Sequence, residues 1–166
     1  MIIKKWFFSA ILLIVSALPA LAQTKSFDIL LKKMIKKTVP IIMIPELAKK
    51  SEKVILLDAR ELKEFQVSHL KNAIHIGYKE FDESSLAKID KNEEIIVYCS
   101  IGVRSEKIGE RLQSMGFKNV KNLYGSIFEW VNQGHQVYDM NNHITTKVHA
   151  YDKKWGVWLK KGEKVY

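Results

Sequence analysis

The stretch Ile95-Ile96-Val97-Tyr98-Cys99-Ser100-Ile101-Gly102-Val103-Arg104-Ser105 decides how this chain is read. Ile95 to Tyr98 is a continuous apolar run, the pattern of a strand buried on both faces of a parallel sheet. From Arg104 to Met115, Ile108, Leu112 and Met115 fall on one side of a helix, and Gly116 is a natural stop. Between strand and helix lies a tight loop with Gly102 at its centre. Such a loop turns several backbone N–H groups toward one spot, where the positive end of the helix dipole also favours negative charge. Cys99, at the loop's first position, puts a sulfur into that cradle. These surroundings lower a thiol pKa from about 8.5 into the ~3.5–7.5 range. Arg104 adds a permanent charge near the rim. Cys99 is therefore the candidate nucleophile, and Ser100, Ile101, Gly102, Val103, Arg104 and Ser105 form the candidate anion-binding loop.

Working outward, Val54 to Leu57 repeats the buried-strand pattern and ends at Asp58. Glu61 to Val67 is helical in pattern, Ala73 to Ile76 is a short strand, Val120 to Leu123 another, and Ser126 to Gln133 a short helix closed by Gly134. Upstream, Pro40 and Pro45 punctuate a β-like run, Ile41 to Ile44, with a brief helix from Glu46. Strands and helices alternating at this spacing predict an α/β domain with a mainly parallel sheet. Ligands of such sheets sit beyond the carboxyl ends of the strands, where Asp58 and Cys99 both lie.

The ends of the chain differ in character. Thr24 to Lys37 reads as an amphipathic helix, with Phe27, Leu30, Leu31, Met34 and Ile35 on one face and lysines on the other. Lys147 to Tyr166 is rich in lysine and aromatics, and its alternation around Gly156 and Gly162 predicts a β-hairpin or small strand appendage. Its Trp155 and Trp158 are expected to cover an apolar face of the domain; the sharper reading has them wall the Cys99 pocket. The expected organisation is 1–22 as a signal, 23–38 as the amphipathic helix, 39–138 as the α/β domain and 139–166 as an extension.

The first 22 residues have the pattern of an export signal. Lys4 and Lys5 precede an apolar run from Trp6 to Leu18, and Pro19 leads into Ala20-Leu21-Ala22, with Gln23 as the expected mature start. The run is short of the roughly 20 residues a spanning helix needs. Export, most naturally to a bacterial periplasm without stable membrane insertion, is the expectation; an uncleaved N-terminal anchor is the other outcome the pattern allows.

The chain has 166 residues and a formal charge of +9, of which the two signal lysines account for part. Of its basic residues only Arg60, Arg104 and Arg111 are arginine, whereas base and phosphate recognition favour the guanidinium fork. Nucleic acid is therefore not an expected partner. One cysteine excludes an internal disulfide and a thiolate zinc cluster, and the five histidines show no ligand spacing, so neither metal nor cofactor is expected. In an oxidising compartment a lone cysteine is either buried and inert or has a chemical task.

Five segments, in order along the chain, resemble the rhodanese-like sulfurtransferases. Val54-Ile55-Leu56-Leu57-Asp58-Ala59-Arg60 is similar to that family's strand ending in Asp-x-Arg, and Glu61, Glu64 and Phe65 to the helix after it. Ser68-His69-Leu70-Lys71-Asn72-Ala73-Ile74-His75-Ile76 is similar to the Gly-His-Ile-x-x-Ala-x-x-Ile stretch. The Cys99 loop is the fourth segment, and Leu123-Tyr124-Gly125-Ser126 through Trp130 and Gly134 resembles the closing Leu-x-Gly-Gly motif. The resemblance runs from Ile41 to Val137. Each motif alone is weak, but the ordered set is specific. Ser68 and Ser126 stand where the family has glycine; Ser126, taken to lie away from the nucleophile, is expected to need only local backbone adjustment.

The resemblance implies a three-layer α/β domain and a two-step sulfur transfer through a Cys99 persulfide. A small sulfur-containing anion such as thiosulfate would be the donor, and a thiol or cyanide the acceptor. Asp58 and Arg60 are expected to brace the loop as an ion pair rather than touch substrate. His69 fits a structural place in the turn between helix and strand. A free thiol in an oxidising compartment also implies a reducing or persulfide-accepting protein, or a persulfide resting state. Two other readings stay open: a non-catalytic binding module on the same fold, and a cysteine-type phosphatase or arsenate reductase. The latter uses Cys-x5-Arg around a tetrahedral anion, whereas Cys99 to Arg104 is one residue shorter and suits a single sulfur.

Overall fold

A computed structural model describes residues 25–166. The expected export signal, 1–22, lies outside the described residues. The N-terminal helix (α1, 25–34) buries Phe27 and Leu31 while Lys32 and Lys33 are exposed, as its periodicity requires. It ends three residues short of the expected Lys37. The cause is a competing acceptor: the backbone N–H groups of Lys36 and Thr38 donate to the Glu106 carboxylate at 2.9 and 3.1 Å. Lys37 between them takes φ 59, which no helix continues.

Five parallel strands form the central sheet in the order β1-β5-β4-β2-β3. They are β1 (Ile41–Ile42), β2 (Ile55–Asp58), β3 (Ile74–His75), β4 (Glu94–Tyr98) and β5 (Asn119–Leu123). Their connections carry α2 (Ile44–Ala48), α3 (Leu62–Val67) and α4 (Val103–Ser114), while α5 (Ser126–Asn132) follows β5. The β-like run expected to reach Ile44 is shorter, because α2 starts there with Pro45 inside its first turn, where a missing N–H costs nothing.

The apolar runs are continuous because helices cover both faces of the sheet. Leu57, Ile95, Val97, Cys99 and Val120 share one buried cluster with Ile108 and Leu112 of α4. The alternate residues Leu56, Ile96 and Tyr98 face the other way and are also buried, as are Ile127 and Phe128 of α5. This is the expected three-layer α/β architecture with a mainly parallel sheet.

From β2 the chain moves outward to β3, and from β4 to β5 on the opposite side. The β2/β4 boundary is thus a topological switch point, where α/β sheets hold their ligands. In register Asp58 pairs with Tyr98, so the residues following both strands emerge side by side.

The extension adds strands, in an arrangement the sequence pattern does not distinguish. An antiparallel hairpin joins β6 (Val137–Tyr138) to β7 (Ile144–Thr145). The Lys147–Tyr166 segment carries instead a parallel pair, β8 (Lys147–His149) with β9 (Glu163–Val165), and the short helix α6 (Lys153–Gly156) lies between them in the chain. The α5 residue Asn132 holds this segment: its Nδ2 donates to the Trp158 carbonyl at 2.9 Å and its Oδ1 accepts from Lys160 N–H at 2.6 Å. Among the described residues no helix is long and apolar enough to cross a membrane.

Candidate active site

Cys99 follows β4 directly and is 1% exposed. Gly102, the N-cap of α4, has φ 111, a conformation open to glycine, and a Cβ there would lie 2.8 Å from Ile35 Cδ1. That turn brings the Gly102 N–H to 3.1 Å from Cys99 Sγ. Ser105 Oγ stands 3.5 Å from the same sulfur, and the Ser105 backbone N–H also acts on it. The cradle expected from the loop pattern is therefore assembled by Gly102 and Ser105.

Behind the cradle, Ser105 Oγ donates to Asn122 Oδ1 at 2.7 Å and Asn122 Nδ2 donates to the Gly102 carbonyl at 2.9 Å. A β5 side chain thus fixes both ends of the turn. Ser105 Oγ has one proton for two acceptors: the Asn122 oxygen at 2.7 Å is nearer than the sulfur at 3.5 Å, and negative charge on sulfur draws the proton the other way. Ile101 is buried, and Val103 is half-buried in the first turn of α4.

Burial pushes the Cys99 thiol up, but the Arg104 charge and the hydrogen bonds from Ser105 and Gly102 outweigh it, leaving the thiol below its ordinary value. Arg104 itself is held as a fork. Its Nη1 and Nη2 donate to Glu64 Oε2 and Oε1 at 2.7 and 2.8 Å, and Nη2 also donates to Ser100 Oγ at 2.9 Å. Ser100 Oγ in turn donates to Glu64 Oε1 at 3.1 Å.

Glu64 also closes the capping box of α3, its Oε2 accepting from Glu61 N–H at 3.1 Å. Burial would raise the Glu64 carboxyl, yet Arg104 and Arg60 hold it below the usual carboxylate range. The sequence pattern puts Glu64 on this helix without giving it this task. The available signal was a capping-box glutamate facing the one arginine of the loop.

Asp58 and Arg60 form a pair, but a separate one. Arg60 Nη2 donates to Asp58 Oδ2 at 2.7 Å and to the Ser68 carbonyl at 2.6 Å, with both side chains fully buried. The pair binds the end of α3 to the end of β2. Its link to the loop is indirect, through the Ala59 N–H bond to the Tyr98 carbonyl at 2.9 Å. The residue that grips the loop is Glu64.

The two serines in glycine positions behave differently. Ser68 has φ −171, extended backbone that any residue adopts. Ser126 does not lie away from the nucleophile: the Cys99 N–H donates to its Oγ at 3.0 Å, and Oγ donates to the Leu123 carbonyl at 3.1 Å. The β5–α5 turn passes close to Cys99, a proximity that separation in sequence hides. His69 occupies the expected structural place, stacked on Phe65 at 4.1 Å with Nδ1 against the Phe65 carbonyl at 3.2 Å.

A cavity of about 410 Å³ lined by Leu56, Leu70, Trp130, His135 and Tyr138 among others includes no residue of the Cys99 loop. Among the described residues no three His, Cys, Asp or Glu side chains cluster as metal ligands.

A cysteine whose thiol is held down by the loop arginine and by loop hydrogen bonds, at the switch point of a five-stranded parallel sheet, is the arrangement of a rhodanese-like domain. The chain belongs to that family: its model, the rhodanese-like domain, matches residues 44–133. A thiosulfate sulfurtransferase, GlpE, of Coxiella burnetii is 33% identical over 85 residues, which is 51% of this chain and 78% of that protein. A tRNA uridine(34) hydroxylase of Hamiltonella defensa is 32% identical over 112 residues, 64% of this chain but only 31% of the relative. Among solved structures, a rhodanese-like domain protein from Staphylococcus aureus superposes with a TM-score of 0.51 at 27% identity, covering 64% of this chain and 98% of that one.

Proposed function

We propose that this protein is an exported sulfurtransferase that moves sulfane sulfur from a small anionic donor such as thiosulfate to a thiol or cyanide through a Cys99 persulfide. The observation that carries this reading is the sulfur's placement, 3.1 Å from the Gly102 N–H and beside Ser105. The Cys99 thiolate attacks the outer sulfur of thiosulfate, a new S–S bond forms, the donor's own S–S bond breaks, and sulfite leaves with that bond's electron pair. The acceptor thiolate or cyanide then attacks the terminal sulfur, the Cys99 S–S bond breaks, and the thiolate returns. Amides facing the sulfur stabilise the persulfide anion as an oxyanion hole stabilises oxygen. The Arg104 charge offsets the repulsion between thiolate and anionic donor.

Export rests on the sequence pattern of residues 1–22, and recovery of a chain beginning at Gln23 from the periplasm is its check. The chemistry is tested by intact mass after incubation with thiosulfate. A gain of about 32 Da, one sulfur atom, on the wild type but not on Cys99→Ser is the expected result. No adduct with any sulfane-sulfur donor would leave the non-catalytic binding module as the better reading.

A further inference from the structure

The extension beyond the matched domain returns to the cradle. β8 ends at His149, which is buried, and the next residue is fastened to β9 by the Ala150 N–H bond to the Val165 carbonyl at 2.8 Å. Tyr151 follows in the left-handed region, φ 66, an uncommon conformation for a tyrosine. Its N–H donates to His149 Nδ1 at 3.1 Å. Asp152 then caps α6 by accepting the Trp155 N–H at 2.8 Å. A corner bonded on both sides in this way holds the Tyr151 ring with its centroid 5.1 Å from Arg104 Cζ.

Three facts give that contact a consequence. The Arg104 fork is already engaged by Glu64 and Ser100, and Tyr151 meets the same guanidinium through its ring. Tyr151 is 48% exposed, so it stands at the surface and not in the core. Cys99 is 1% exposed, and the Arg104 charge that acts on its sulfur is the one the Tyr151 ring meets, so the ring stands beside the cradle. We infer that Tyr151 is a specificity-determining residue, a wall at the mouth of the sulfur cradle that admits small anionic donors and small acceptors and holds back bulky ones. Tyr151 is thus an aromatic of the extension that meets Arg104, at a position the sequence pattern does not single out.

The consequence for substrates rests on the sulfurtransferase reading, but the wall itself can be tested without it. Cys99 is alkylated in the full chain by iodoacetamide and by a fluorescein-sized maleimide at one pH, in wild type, Tyr151→Gly and Tyr151→Phe. Glycine suits a positive φ, so removing the ring also relieves the backbone and keeps the variant folded. Taking the ratio of the two rates cancels any change in thiolate fraction. Tyr151→Gly is expected to raise the bulky-to-small ratio by about 5- to 20-fold, within the range one steric element gives a specificity pocket, while Tyr151→Phe keeps the wild-type ratio.

In parallel, kcat/KM for a tripeptide-sized thiol relative to cyanide should rise in Tyr151→Gly and not in Tyr151→Phe. An alkylation ratio within about twofold of wild type in Tyr151→Gly would overturn the wall, since it would show that the ring excludes nothing. A raised ratio with no persulfide formed in any variant would sustain the wall and sink the sulfurtransferase reading.

Discussion

Two carboxylate–arginine pairs stand near the ends of neighbouring strands, and they use two of only three arginines in the chain. Asp58 and Arg60 are two residues apart and fully buried, bonded to each other and to a backbone carbonyl. Glu64 and Arg104 come from different helices; the carboxylate side chain is 1% exposed and the arginine 15%. The chemistry is the same and the surroundings differ. The first pair neutralises two buried charges within one segment, with Arg60 Nη1 left without a hydrogen-bond partner, and it binds β2 to α3. The second spans the site, and its arginine projects charge onto Cys99. A buried ion pair is costly to break from one side, because the surviving charge has nowhere to go. Glu64 is nearly as buried as Asp58, but it also accepts from Glu61 N–H and the Ser100 hydroxyl, and its arginine is the more exposed partner.

The largest expected effect lies at the buried pair. Arg60→Met strands the Asp58 carboxylate in a dry site and should destabilise the fold by about 3–5 kcal/mol, read as a lower urea midpoint. The fraction that remains folded should alkylate at Cys99 with the wild-type pH profile. A shifted profile in folded protein would show that Arg60 acts on the sulfur after all, and the contrast between the pairs would collapse.

Arg104→Met should reverse that balance. Stability falls less, since the buried Glu64 carboxylate keeps its bonds from Glu61 N–H and the Ser100 hydroxyl and the nearby Arg60 charge. Persulfide formation with thiosulfate, however, should slow by roughly 10²-fold, as when one preorganised charge-stabilising donor is lost. The Cys99 alkylation profile should move to higher pH, because burial then acts with less opposition. In the wild type the thiol's folded value lies below its ordinary value, so the native state releases its proton before the unfolded chain does. Its contribution to stability therefore grows as pH rises through the folded value, is full above the ordinary value, and is lost as pH falls. Relative to Cys99→Ser, wild type should gain stability across that window, and Arg104→Met should show a narrower gain. Equal gains would remove Arg104 from the account of the thiol.

Much of the fold was open to reading from the sequence because its strands are short, apolar and bounded by chemistry at their ends. Ile95–Tyr98 and Val54–Asp58 are strands within one residue of expectation, and the loop between β4 and α4 has its expected position. What escaped depends on contacts between distant segments. The end of α1 is set by Glu106, some seventy residues on; the task of Glu64 appears only when α3 meets the loop; and the parallel β8–β9 pair needs α6 as its connection, which local alternation cannot separate from a hairpin. Tyr151 carries no motif of its own, so nothing local marks it as a neighbour of Arg104.

Ser126 sharpens the comparison at its smallest scale, since it ties the nucleophile's backbone with a neutral hydroxyl where the two pairs use charge. It sits at φ 50 in a left-handed region that glycine enters freely, directly after Gly125 at φ 71. The strain of a side chain there opposes the two hydrogen bonds its hydroxyl makes to Cys99 N–H and the Leu123 carbonyl. Two substitutions separate these contributions. Ser126→Ala keeps the strain and leaves the buried Cys99 N–H without this acceptor, a cost of about 1–3 kcal/mol. Ser126→Gly loses the same bonds but relaxes the backbone, recovering about 1 kcal/mol of that loss. Urea midpoints should therefore fall in the order wild type, glycine variant, alanine variant. The thiol's pH profile should stay nearly fixed in both, because the groups that act on the sulfur are Gly102, Ser105 and Arg104. If the glycine variant proved the most stable of the three, backbone strain would outweigh the hydroxyl's bonds, and Ser126 would be a tolerated departure from glycine with no positioning value for Cys99.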